Sequence, residues 1–207
     1  MVSRPSSTVE WGKVIHCFGA SAGSRRIIVD PCPQVSGVVQ IVGPSGAGKS
    51  TMLSIAAGLL QPTSGEVFYN SATSPKALRK RGGVAVQFQK GYLEPYLTLR
   101  ENVALFAREG ADIDALLEQS GLADFADSRA DTLSGGQVKR AGLIRALAAA
   151  PEVLIVDEPL AELDAASKQV VLGLLLAFSG AGGLVLCASH EKLTGLNPLT
   201  EVRVRSE

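Results

Sequence analysis

From Val9 to Val42 the apolar positions fall in short β-branched groups, VIHCF, RRIIVD and GVVQIVG, separated by Gly, Pro and Ser. Such groups predict several short strands. Val38 to Val42, VVQIV, is nearly all apolar and predicts a strand buried on both faces. The Gly-rich GPSGAG follows, and STMLSIAAGLL predicts an uninterrupted helix up to Gln61-Pro62. Strand, Gly loop and helix make half of a βαβ unit. EVFY and VAVQF predict two more strands on either side of SPKALRKRGG. The basic cluster there (Lys76, Arg79, Lys80, Arg81) reads as a solvated turn or helix. Residues 98–149 read as helix-rich, in TLRENVALFARE, DIDALLEQSGLADF and SGGQVKRAGLIRALAAA, stopped by Pro151. VLIVDE predicts a buried strand with acids at its C-terminal tip, SKQVVLGLLLAF a helix and GLVLCASH a strand. VRVRS alternates like an edge strand, and residues 1–8 are polar and expected to fray. Alternating strands and helices predict an α/β core with a mostly parallel sheet, interrupted by a helical insertion.

Composition narrows the function. A length of 207 residues suits one domain. Twenty Lys and Arg balance twenty Asp and Glu, which excludes a broad basic surface, so no nucleic-acid partner is expected. Hydrophobic residues make up 46% and charged ones 19%, which excludes a disordered chain. The longest uncharged apolar run, Val170 to Phe178, falls short of the roughly 20 residues a membrane helix needs. MVSRPSSTVEWGK has no apolar stretch of the secretory kind. Cys17, Cys32 and Cys187 are odd in number and widely spaced, so reduced thiols in a reducing compartment are expected.

GPSGAGKS fits G-x-x-x-x-G-K-[ST], the phosphate-binding P-loop, between a buried strand and a helix. Its backbone N–H groups, in Gly43, Pro44, Ser45, Gly46, Ala47, Gly48, Lys49, Ser50 and Thr51 (Pro44 excepted), can curl around phosphate oxygens at a helix N-terminus. Lys49 is expected to reach the β- and γ-phosphates and the Ser50 hydroxyl to bind Mg²⁺. Asp157, ending VLIVD, can hold Mg²⁺ through water, and Glu158 can orient and polarise an attacking water. Ser134, Gly135, Gly136 and Gln137 begin a second helix, with Ser134 as its N-cap. That is a second anion-binding helix start without a lysine, which suggests service to a nucleotide on another subunit.

P-loop, LSGGQ and VLIVDEP in this order resemble an ATP-binding cassette, the nucleotide-binding subunit of ABC transporters, over about residues 10–205. The resemblance implies a P-loop NTPase core with an N-terminal antiparallel β part and an inserted helical subdomain. The core would span about 9–89 and 150–205 of one domain, 1–207, and the helical subdomain about 90–149. It implies ATP and Mg²⁺ as ligands. Gln89 matches the Q-loop glutamine, linking the Mg²⁺ site to the helical lobe, with Gln87 as a close rival. His190 matches the γ-phosphate-sensing switch histidine and Asp164 the D-loop aspartate. Phe18 matches the aromatic that stacks on adenine, with Trp11 as the alternative. PLAELD departs from the family, whose members commonly carry a small polar residue at the position of Leu160 and a small one at Glu162.

The resemblance further implies a head-to-tail dimer, with a second copy or a homologous cassette, that sandwiches two ATP molecules. It implies separate transmembrane permease subunits and a place at the cytoplasmic face of the membrane. Tyr92, Leu93, Pro95, Tyr96 and Leu97 read either as an exposed docking patch for a coupling helix or as a loop buried under the helical lobe. The short stretch after Glu191 disfavours the larger regulated importers. An alternative is a cassette driving a non-transport complex of the cell-division or iron–sulfur-assembly type. A DNA-repair cassette would need coiled-coil arms, zinc modules or a basic groove.

Overall fold

The computed structural model describes residues 6–19, 25–89, 91–190, 193 and 199–207. Among these, the strands form two sheets. The smaller is antiparallel, with β1 (Thr8–Trp11) between β4 (Cys32–Ser36) and β6 (Val67–Tyr69). The larger runs in the order β2 (Val14–Cys17), β3 (Arg26–Val29), β10 (Leu199–Ser206), β5 (Val38–Val42), β9 (Leu184–Ala188), β8 (Val153–Asp157), β7 (Val84–Gln87). From β10 to β7 every pairing is parallel, while β2, β3 and β10 pair antiparallel. The predicted parallel core and antiparallel N-terminal part are both present.

Two expectations about the chain ends are corrected. VRVRS lies inside the sheet, bonded to β3 on one side and β5 on the other. Its alternation records a face, with Val202 and Val204 buried and Arg203 and Arg205 turned outward. Period two says nothing about whether both strand edges find partners. The expected fraying does not extend to Ser7 and Thr8, since Thr8 belongs to β1 and the Ser7 N–H donates to the Gly182 carbonyl at 2.9 Å.

Helix α1 (Lys49–Ala56) stops well before Pro62. Gly58 adopts φ +67°, and a Cβ there would lie 2.6 Å from the Lys76 nitrogen. The chain must turn there so that the segment after α1 can pass the start of α2 (Pro75–Lys80), which Ser74 caps. The basic cluster of α2 is solvated, with Arg81 paired to Glu152 at 2.9 Å. The insertion holds α3 (Leu99–Ala104), opened by a Thr98–Glu101 capping box, and α4 (Ile113–Gln119). Two 3₁₀ turns follow, then α5 (Gly135–Ala148). α6 (Ala165–Gly180) precedes β9.

The parallel sheet is covered on both faces, as its apolar strands require. On one side Ile41, Ile155 and Leu186 pack with Met52 and Ile55 of α1 and with Trp11 and Tyr69 of the small sheet. On the other, Leu154, Val156 and Val185 pack with Leu143 and Ile144 of α5, Leu174 and Leu175 of α6, and Leu99 of α3. Each fully buried side chain of this size contributes roughly 1.5–3 kcal/mol. All three cysteines are free thiols, and burial pushes Cys32 up to about 11 and Cys187 well above the usual range. Such groups are inert core residues. No helix of the described residues is long and apolar enough to cross a membrane.

Candidate active site

The switch from β5 to α1 builds the first wall. Gly48 caps α1 with φ +101°, and a Cβ there would meet Ile27 Cγ2 at 2.4 Å. Only glycine fits both the left-handed turn and that approach. The loop thus returns over the sheet, and Lys49, 7% exposed, donates from Nζ to the carbonyls of Gly43 (3.0 Å) and Pro44 (3.2 Å). Its Nζ also lies 3.4 Å from His190 Nε2.

The second wall comes from the ends of β8 and β9. Asp157 ends β8, and Glu158 follows in left-handed backbone, φ +50°. A side-chain-bearing residue holds that conformation only where its surroundings enforce it. Glu158 Oε2 accepts from the His190 N–H at 3.2 Å. Its Oε1 is buried, has no hydrogen-bond partner among the described residues, and lies 3.4 Å from His190 Nε2. A buried carboxylate oxygen with spare acceptor capacity can receive a proton from water in the cleft.

Between the walls lies an open cleft of about 420 Å³, lined by Ser45, Gly46, Gly48, Lys49, Ser50, Thr51, Gln89, Asp157, Glu158 and His190. The strand ends thus gather groups far apart in the chain, at the position where parallel α/β sheets bind ligands. Gln87 and Gln89 separate cleanly. Gln87 is buried and donates to the Lys139 carbonyl at 2.7 Å, whereas Gln89 is exposed and faces the cleft. Trp11 also drops out as a stacking residue, being buried with Nε1 donating to the Asp30 carbonyl at 2.9 Å. Phe18 remains, 44% exposed, edge-on to His16 at 5.0 Å. Ala47 is packed in the core.

Ser134 to Gln137 and Asp164 do not line the cleft. Ser134 and Gln137 form a reciprocal capping box, with Ser134 N–H donating to Gln137 Oε1 at 2.7 Å. Asp164 caps α6 by accepting from the Ser167 N–H at 2.7 Å, which holds its carboxyl below the usual range. The two segments are neighbours, since a Cβ on Gly136 would lie 3.4 Å from Leu163 Cδ2.

Three residues outside the sequence-derived set lie in or against the cleft walls. Arg25 and Ala161 line the cleft, and the Arg25 guanidinium sits 5.8 Å above the Phe18 ring. Lys139 is buried and donates to the carbonyls of Glu158 (3.2 Å) and Ala161 (2.6 Å). Burial pulls its ammonium below the usual lysine range, and the carboxylates of Glu162 and Glu158 oppose that. No local pattern marks any of the three.

The donor set suits Mg²⁺. Among the described residues no three His, Cys, Asp or Glu cluster as a metal cage. Instead one hydroxyl (Ser50), one carboxylate (Asp157) and one amide (Gln89) line the same cleft. Hard oxygen donors in small number, completed by substrate phosphates and water, are what Mg²⁺ uses. Bound there, it would neutralise charge on the phosphates.

The sequence model of the family described as ABC transporter matches residues 34–161. A Brucella abortus biovar 1 (strain 9-941) protein named as ATP-binding is 42% identical over 193 residues, covering 88% of this chain and 72% of that protein. The aliphatic sulfonates import ATP-binding protein SsuB 1 of Xanthomonas axonopodis pv. citri (strain 306) is 36% identical over 192 residues, 87% of this chain and 75% of the relative. Among solved structures, the ATP-binding cassette MJ0796, a dimer in a post-hydrolysis state bound to ADP and Pi, superposes with a TM-score of 0.72 at 28% identity. That match covers 88% of each chain. Motifs, sheet order, cleft and relatives agree, and the chain belongs to the ABC transporter family of ATP-binding cassettes.

Proposed function

We propose that this chain is the ATP-hydrolysing subunit of an importer, acting as a head-to-tail dimer beneath separate membrane-spanning subunits. One observation carries the reading. Lys49, Ser50, Gln89, Asp157, Glu158 and His190 converge on a single cleft, while Ser134 to Gln137 and Asp164 sit together outside it. In this reading Lys49 and the loop hold the phosphates and Ser50, Asp157 and Gln89 hold Mg²⁺. Glu158 is the general base, His190 senses the γ-phosphate and Phe18 stacks on adenine. The outer group closes on the partner's nucleotide. Residues 90–149 form the helical subdomain. Uptake is supported by the sulfonate-import relative. A docking patch for the membrane subunits is supported by Tyr92 and Tyr96, 65% and 79% exposed, and by Phe88 at 46%.

Tagged Glu158→Gln protein recovered from native membranes with ATP and Mg²⁺ tests this reading by mass spectrometry. A co-purifying polytopic protein with a transporter-like hydropathy pattern is expected. Recovery of soluble proteins alone would overturn the transport role. Ser134→Arg should leave ATP binding by the monomer intact and abolish the ATP-induced dimer in light scattering. Loss of monomer binding would mean that LSGGQ serves its own chain's nucleotide.

A further inference from the structure

The turn after β8 is unusual in needing two left-handed residues that are not glycine, Glu158 at φ +50° and Glu162 at φ +63°. Such backbone persists only when neighbours hold it. The Glu158 N–H is tied to the Ala188 carbonyl at 2.8 Å, and the side chain that reaches the turn's carbonyls is Lys139. Its Nζ donates to the carbonyls of Glu158 and Ala161, so both bonds fall between the two strained positions. At 7% exposure a lysine ammonium stays charged only with close partners, and these carbonyls supply them. Lys139 is itself fixed from the opposite side, because its own carbonyl accepts from Gln87 Nε2 on β7 at 2.7 Å. One residue of α5, the helix that begins at LSGGQ, therefore links β7 to the turn that carries Glu158.

We infer that Lys139 is a positioning residue for hydrolysis: its ammonium holds the Glu158–Glu162 turn so that the Glu158 carboxylate faces the cleft. It does not line the cleft and touches no reacting atom. The inference rests on the reading of Glu158 as general base. It also gives the departures at PLAELD a setting, since the Glu162 carboxylate counters the desolvation of Lys139 and Leu160 is buried in the adjoining core. Lys139 lies five residues along α5 from Ser134, about 7–8 Å by helical rise.

The test compares Lys139→Met, similar in length but without a donor, with Lys139→Arg, which keeps the charge and donors. ATPase rates are scaled to sites counted by binding of a fluorescent ATP analogue. In Lys139→Met, kcat should fall about 10–100-fold, as ångström-scale misplacement of a catalytic group does, with KM within about twofold. Lys139→Arg should recover most of the loss. If Lys139→Met does not fold, Lys139→Ala carries the same expectation. A folded Met or Ala variant with wild-type kcat overturns the inference while the base assignment stands. Glu158→Gln measured beside them separates the two ideas, because wild-type turnover there removes the base assignment and this inference with it.

Discussion

Glu158→Gln should bind ATP and Mg²⁺ nearly as tightly as wild type and hydrolyse ATP about 10²–10⁴-fold more slowly, the range for loss of a general base. The amide is isosteric, and its carbonyl oxygen can still accept from the His190 N–H, as Oε2 does at 3.2 Å. Left-handed φ at this position and the Lys139 bonds to the turn involve backbone, so the substitution leaves them in place. What disappears is the capacity of the buried Oε1, which lies 3.4 Å from His190 Nε2, to take a proton. Binding without turnover should trap the closed state, seen as an ATP-dependent doubling of mass in light scattering while phosphate release stalls. Wild-type turnover would assign the base to another group.

Lys49→Ala should bring ATP turnover down to background and weaken ATP binding. The Nζ is held at the loop mouth by the carbonyls of Gly43 and Pro44 and lies 3.4 Å from His190 Nε2. It is thus free to exchange those neutral acceptors for phosphate oxygens, a charge-assisted gain. Hydrogen bonds to charged groups contribute about 1.5–3 kcal/mol, so affinity should fall roughly 10–100-fold. The rate should fall further, because the same charge offsets negative charge on the γ-phosphoryl group as it transfers. Equilibrium binding and phosphate release measured on one contaminant-free preparation separate the two effects. Retained turnover would remove the P-loop assignment.

Features carried by contiguous residues were readable without coordinates. The P-loop is a single stretch whose glycines and lysine state the phosphate chemistry in order. VVQIV and VLIVD announce buried parallel strands because burial on both faces leaves no polar alternation. Ser134 as a helix cap follows from its residue type at the helix start, and the structure adds the reciprocal bond with Gln137. Helix ends were harder. α1 stops at Ala56 because Gly58 must pass close to the α2 backbone, a contact between segments that no local propensity encodes.

Choices between equivalent residues needed the fold. Gln87 and Gln89 would share a period-two face if the strand ran on, but β7 ends at Gln87, whose side chain packs against α5 while Gln89 is left at the cleft. Trp11 and Phe18 are both aromatic near the N-terminus. Packing of the small antiparallel sheet into the core it shares with α1 and the parallel strands buries the first, and the second is left exposed. Sequence alone thus determined the family, the α/β class and the phosphate-binding chemistry, because each depends on local order and periodicity. The tertiary structure alone decided that VRVRS is an interior strand, that Arg25 borders the cleft and that Lys139 donates to the Glu158 carbonyl. Those facts depend on which distant segments meet, and periodicity reports which side of an element is buried without naming what buries it.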